Sequence, residues 1–465
     1  MRTLLSILIL FVSLSLSLSC RNSSDVEPES KSSLIPSNDF NFETFDCDDC
    51  TYIVTDYKTD GKELNIEPGD IICLDSKVAY DRLLFSNING TEANPVIIRN
   101  CNGQAIIQAT KPGGISFEYS SHFKLLGDGG GSNYGIKVTT NTGFYVLMRT
   151  FSNQFEIAHL EVAGNNDGFA GIGLKTSPYE DCELFEDPAR PWTMTDIIIR
   201  NNYVHNVNGE GLYIGHGFHA GWTGNSCPNV VYPHVIKRLK VFSNIIENTG
   251  YDGMQIKNGD EDIEIYDNYI FNYGTRAENG QNEGVLIGGP MTGLFYNNVI
   301  IKGTGNGLRM LNIGGNNDVY NNIIMESGKS GIRVDGGNEF DLIFDNPYLN
   351  FFNNHIINSG EYGFVIFDKR DAVRRFKNNL VINASDQLIA IGSQIDAIDT
   401  SHNIATQDLN FVKFKNLDSY EFELLPDSPG IDAGTNVSNF GVDIDIMRRP
   451  RPSGASFDVG AFENQ

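Results

Sequence analysis

Glu210, Asp252 and Glu283 each stand immediately before a glycine that opens a short apolar strand, so three acids share one offset in three successive segments. If the segments stack, these carboxylates stack too and repel one another unless a raised pKa, a bound cation or a basic partner compensates. As hard oxygen ligands they suit calcium, with Asp260, Glu261 and Asp262 nearby in the chain. As a glycosidase pair, acids on neighbouring segments would lie about 5 Å apart and on alternate segments about 10 Å, bracketing the retaining and inverting separations. As structural residues they would be solvated turn positions or caps on backbone N–H groups. Two residues after the glycine come Tyr213, Gln255, Leu286, Arg309 and Arg333, and four after it Lys175, Gly215, Lys257, Gly288, Leu311 and Asp335. A lysine in such a column serves as a general base once its pKa falls, and neighbouring Arg309 and Arg333 or a bound calcium push it that way. The only tryptophans, Trp192 and Trp222, lie in two long insertions, the second also carrying Phe218, His219 and Tyr232. Their rings, beside Tyr213 and His216, either stack on sugar faces or pack the insertions down.

The elements that hold these residues repeat. An apolar strand ends in an Asn-containing turn whose second Asn falls at 202, 244, 268, 298, 322, 354 and 379, a basic period of about 24 with insertions. After each turn comes the glycine-led strand, as in Glu210-Gly211-Leu212-Tyr213-Ile214 and Asp252-Gly253-Met254-Gln255-Ile256-Lys257. Period-two alternation in short strands between Gly and Asn turns predicts an all-β solenoid, a single parallel β-helix whose coils share one core. The Asn column is expected to be a ladder, each side chain bonding the turn of the next coil.

With this repeat, the chain after about residue 60 resembles the secreted bacterial right-handed parallel β-helix proteins. The stretch Ile66-Glu67-Pro68-Gly69-Asp70-Ile71-Ile72-Cys73 with Asn89-Gly90-Thr91 is similar to the opening coils of polysaccharide lyases of the alginate lyase and chondroitinase B type. Asp427-Ser428-Pro429-Gly430-Ile431-Asp432-Ala433-Gly434 and Phe457-Asp458-Val459-Gly460 resemble the closing segment of many such proteins. Lys257, five residues after Asp252, resembles the segment carrying the base of those lyases, which implies proton removal next to a uronate carboxylate neutralised by calcium. The chain departs from that pattern at Gly250, where the family has a second acid, and at Gly288, where it has an arginine. The resulting expectation is a uronate lyase with Lys257 as base, Arg309 and Arg333 on the carboxylate, and His216 in the catalytic set. Tyr213, Gln255, Trp222, His219 and Lys175 would bind substrate, and Glu210, Asp252 and Glu283 would hold calcium. The alternatives are a glycoside hydrolase using the stacked carboxylates and a non-catalytic glycan-binding or adhesive solenoid.

Residues 1–19 read as a lipoprotein-type signal peptide, with Cys20 as the lipidation point and Ser17 where the usual leucine stands. Residues 20–45 read as a flexible tether, 46–110 as a disulfide-containing cap with the first coils, and 111–405 as the β-helix. Long inter-coil loops are expected near 176–196, 217–236 and 336–350, and residues 406–465 read as the closing segment. Location is therefore expected to be the bacterial outer membrane or cell surface, with an extracellular polysaccharide as partner and the membrane reached through Cys20. The six remaining cysteines suit disulfides in an exported chain, Cys182 with Cys227 among them. With 34 Lys and Arg against 59 Asp and Glu, the net charge of −25 argues against nucleic acid, and Gly129-Gly130-Gly131 is a turn, not a nucleotide fingerprint.

Overall fold

The computed structural model describes residues 34–464 except 190, 225, 337–346, 369, 394 and 396. The signal peptide, Cys20 and most of the insertion near 336–350 lie outside the described residues. Each coil contributes one strand to each of three parallel sheets, of twelve, twelve and eleven strands, in a right-handed β-helix. The first sheet runs from Tyr52–Ile53 to Val373–Lys377, the second from Lys58–Asp60 to Ile389–Ile391, and the third from Ala105–Ala109 to Ile404–Thr406.

Register follows from the apolar alternation. Ile199, Val241, Ile265, Phe295, Val319, Phe351 and Phe376 pair in sequence along the first sheet, all inward and buried. In the second sheet Leu212, Met254, Val285, Leu308, Ile332 and Phe364 do the same. A one-residue slip would turn each set outward, so burial fixes the pairing. The glycine that opens each second-sheet strand has a steric reason. A Cβ at Gly211, Gly253 or Gly284 would sit 2.5 Å from the carbonyl oxygen of the next coil's glycine.

Between the first and third sheets runs the expected ladder, and it extends one coil further than the doublets suggest, to Asn403. Asn244 Oδ1 accepts the Asn202 N–H at 3.1 Å, Asn268 accepts that of Asn244, and the pattern continues through Asn298, Asn322, Asn354 and Asn379 to Asn403. Each amide nitrogen also donates to a main-chain carbonyl of the previous coil. The residue before each ladder Asn has a left-handed backbone: Asn201, Ser243, Asp267, Asn297, Asn321, Asn353, Asn378 and His402 all lie between φ 53° and 57°. Asn tolerates that region better than most side chains, which explains the Asn doublets.

The first and last described segments fold back over the solenoid. Phe414, Phe422, Leu424, Val459 and Phe462 of the closing segment pack on outward residues of the third sheet such as Val299, Ile323 and Ile357. A buried Arg451–Glu463 pair at 2.9 Å holds the last turns together. At the other end, Leu34 and Ile35 join the same cluster, while Phe40 and Phe42 pack edge-on against His159. The latter part of the expected tether therefore lies along the helix, because its aromatic and aliphatic side chains find apolar partners. Three disulfides are formed, Cys47–Cys101, Cys50–Cys73 and Cys182–Cys227. Among the described residues no helix is long and apolar enough to cross a membrane.

Replacing Asn298 by Ala would take the acceptor of the Asn268 N–H and the side-chain donor to the Ile265 and Tyr296 carbonyls out of the ladder. The expected loss is about 1–3 kcal/mol, read as a lowered midpoint in urea, whereas alanine at exposed Asn279 should leave the midpoint unchanged.

Candidate functional site

With the third sheet covered, the outer face of the second sheet is where the candidate residues meet. Tyr213 pairs with Gln255, Gln255 with Leu286, Leu286 with Arg309 and Arg309 with Arg333. Lys257 pairs with Gly288, Gly288 with Leu311 and Leu311 with Asp335. Both columns thus have the order expected from the repeat. Lys175 ends its strand two coils before Lys257.

The acid column has a different role from the cation site expected of it. Asp252 Oδ1 accepts the Glu283 N–H at 2.8 Å, Glu283 Oε2 accepts the Asn306 N–H at 2.7 Å, and Asn306 Oδ1 accepts the Ser330 N–H at 3.0 Å. This is a second buried ladder, at the entrance to the second sheet. Asp252 and Glu283 are fully buried and Glu210 is 2% exposed. The remaining Glu283 oxygen faces Arg309 at 3.2 Å. Of the acids' oxygens, Glu210 Oε2 and Asp252 Oδ2 are left without partners, and among the described residues no three acids of this column converge on one point. Calcium takes six to eight oxygens, so Glu210, Asp252 and Glu283 do not fit as its ligands. The same burial removes Asp252 and Glu283 from reach of a glycosidic bond. Asn306 and Ser330, in the same column, are short polar residues suited to N–H capping, and reading them with the acids would have shown the ladder.

The basic residues remain on the outer face of the second sheet, beside the wall formed by the insertions, and this face is called the cleft below. Lys257 is half-buried; no carboxylate pairs directly with its ammonium among the described residues, and burial pushes its pKa below 10.5, opposed by Asp252 and assisted by Arg309. A Cβ at Gly288 would lie 3.2 Å from Lys257 Cε, and one at Gly217 3.7 Å from its Nζ. The two departures from the lyase pattern thus differ in effect, since glycine at 288 leaves room for the lysine. Arg309 reaches Asp335 at 3.0 Å as well as Glu283, and Arg333 reaches Asp335 at 2.8 Å. Lys175 Nζ sits 3.2 Å from the centre of the Tyr213 ring, and burial pushes its pKa down to about 7, with Glu210 pulling it up and Lys257 down. Burial also raises the Glu210 carboxyl and raises Asp252 well above the usual range.

The two insertions form one wall, joined by Cys182–Cys227. Their ends lie inside first-sheet strands Thr193–Arg200 and Val235–Phe242, so the free loops are shorter than the sequence implied. Trp192 packs edge-on against Phe151 and near Phe185 and His234, fastening the wall down. Trp222 is 54% exposed, with Phe218 6.1 Å away. His216 bonds the Thr176 carbonyl through Nε2 at 2.8 Å and packs on fully buried His234; burial, then Lys175, push its pKa down to about 4. Its contacts place it beside Lys175, with Nε2 engaged by the main chain. His219 is half-buried, its pKa lowered by burial and by Lys257 and Arg370. Gln255 is buried beside Tyr213. Sequence reasoning missed His234 and the Asp368–Arg370 pair at 2.8 Å, which no repeat column signals.

A crystallised pectate lyase is similar in structure, with a TM-score of 0.52 at 15% identity over 90% of this chain and 97% of that one. An alginate lyase from Paenibacillus sp. strain FPU-7 matches with a TM-score of 0.44 at 15% identity, over 75% of this chain and 100% of that one. A periplasmic alginate epimerase matches with a TM-score of 0.37 at 12% identity, over 77% and 85%. No protein-family model matches the chain, and no curated protein matches it by sequence. At 15% identity the likeness to the pectate lyase concerns the fold alone.

Glu283→Ala would leave the Asn306 N–H without its acceptor and take one of the two carboxylates from Arg309, with an expected cost of about 1–3 kcal/mol, whereas Glu283→Gln keeps an acceptor and should cost less; denaturation midpoints in urea separate the two. Because the column lacks a cation geometry, the thermal midpoint should not move between millimolar calcium and excess chelator.

Proposed function

We propose that this chain cleaves a uronate-containing polysaccharide by β-elimination in the cleft over the second sheet. The observation that carries the reading is Lys257: a half-buried ammonium without a direct carboxylate partner among the described residues, its pKa lowered by burial, two coils from Arg309 and three from Arg333, which pair with each other. Uronate elimination requires a base beside the carbon next to the carboxylate and positive charge on that carboxylate. Lys257 supplies the first, and Arg309 and Arg333, sharing Asp335, supply the second. Neutralisation by arginine replaces calcium, since the acid column is spent on the backbone. The proton passes from carbon to Lys257 Nζ, the C–O bond at the neighbouring carbon breaks, a carbon–carbon double bond conjugated with the carboxylate remains, and the departing glycosidic oxygen takes a proton from water to become the new reducing end. Tyr213 and Trp222 line the approach, and Lys175 adds positive charge that draws in a polyuronate. The fold shared with a pectate lyase supports a carbohydrate-active role, and three disulfides accord with export and display at the cell surface through a lipid on Cys20.

Incubation with a panel of polyuronates and neutral polysaccharides should release products that gain ultraviolet absorbance together with new reducing ends, from polyuronates alone. Lys257→Ala should lower kcat about 10²–10⁴-fold with the fold intact by circular dichroism. A lysine accepts a proton only when neutral, so kcat/KM should rise with pH through the Lys257 pKa, with the midpoint of that limb below 10.5. Reducing ends without absorbance would defeat the elimination reading.

A further inference from the structure

The first sheet carries a second concave surface, separate from the cleft and not used by the proposed reaction. In five consecutive coils the first-sheet strand is bent at one residue with a left-handed backbone: His122 at φ 50°, Gln154 at 54°, Asp196 at 57°, Arg238 at 49° and Asp262 at 51°. These residues drop out of the ladder, since Thr195 pairs with Lys237 and Ile197 with Leu239, and the next coil skips Asp262 in the same way. A repeated kink folds the sheet into a corner, and along that corner lies a groove of about 650 Å³ reaching from Asp196 to Tyr348.

One column runs along its floor: Ile198, Lys240, Glu264, Leu294 and Asp318, each paired with the next. Lys240 meets Glu264 at 2.8 Å, and Arg238 grips Asp196 through two bonds of 2.7 and 2.9 Å. Both cations are therefore already matched within the groove. Asp318 is 7% exposed, accepts from Asn350 and from the Tyr348 hydroxyl, and is raised in pKa by burial. The lining thus offers donors and acceptors at nearly every coil around half-buried Ile198 and Leu294, with four carboxylates against two cations. A polyanion is repelled by that balance. An apolar peptide would strand the polar lining. What matches is an uncharged chain rich in hydroxyls, whose repeat is close to the coil spacing of roughly 4.8 Å.

We propose that this groove binds a segment of neutral polysaccharide, on a face distinct from the cleft and independently of any cleavage there. The full chain, titrated calorimetrically with neutral gluco-, xylo-, manno- and galacto-oligosaccharides and with oligouronates, tests it. At least one neutral oligosaccharide should bind, with its dissociation constant raised tenfold or more by Leu294→Arg and by Thr292→Arg at the rim, and unchanged by Lys257→Ala. Using two groove variants, each checked for its native thermal midpoint, keeps a folding defect from passing as lost binding. The proposal is overturned if no neutral oligosaccharide binds, if binding survives both groove variants, or if Lys257→Ala or Trp222→Ala abolishes it. Oligouronate binding lost on Leu294→Arg would overturn the assigned ligand class.

Discussion

A coil of this protein cannot close on itself. Its three strands bond only to the coils before and after, so every polar group at a turn must find its partner one step along the axis. Two buried side-chain ladders meet that demand, asparagines between the first and third sheets and a mixed column of Asp252, Glu283 and Asn306 at the entrance to the second. An unsatisfied N–H at either turn would cost about 1–3 kcal/mol per coil, repeated along the axis. Strand register, the glycine after each acid and the exposure of the cleft residues all depend on these turns staying aligned.

That constraint accounts for the roles of the charged residues. A carboxylate can cap an N–H as well as an amide can, but it carries charge into a dry turn and needs a cation to offset it. Glu283 has Arg309, which is thereby held at the edge of the cleft with its other nitrogen on Asp335. Asp252 has no such direct partner and its carboxyl is pushed well up by burial, with Lys257 acting against that shift across the cleft. The acids are therefore the foundation on which the basic groups of the cleft are set. Arg309 bonds one ladder member and Asp335 at once, so it ties the buried column to the outer face of the second sheet.

How much of this was legible follows from what the repeat encodes. Period-two alternation and the Asn doublets specify the solenoid and its register, so the order of Tyr213, Gln255, Arg309 and Arg333 along one face could be read directly, as could Lys257 and Asp335. Whether a column points into a turn or into solvent is not encoded in offset alone. Glu210, Asp252 and Glu283 look like an outward acid cluster until Asn306 and Ser330 are counted with them. The insertions escape the repeat altogether, and only their contacts show that Trp192 fastens a wall while Trp222 stays exposed. Leu34 to Phe42 lack any periodic signal, and their docking along the solenoid comes from tertiary contacts alone.

The acidity of the chain also bears on where a ligand can settle. A net charge of −25 spread over the surface turns a polyanion away from most of it. Lys175, Lys257, Arg309 and Arg333 lie on one sheet face, and only Glu283 and Asp335 pair with them directly among the described residues, so a uronate chain meets local attraction there within a repulsive field. The first-sheet groove has the opposite balance, its cations already spent on its own carboxylates. The third face is covered over its later coils by the end segments. If both proposed sites act, a polymer with charged and neutral stretches would be sorted along the molecule, anionic residues drawn to the second sheet and neutral ones accommodated on the first, because each face differs in how its charges are already satisfied.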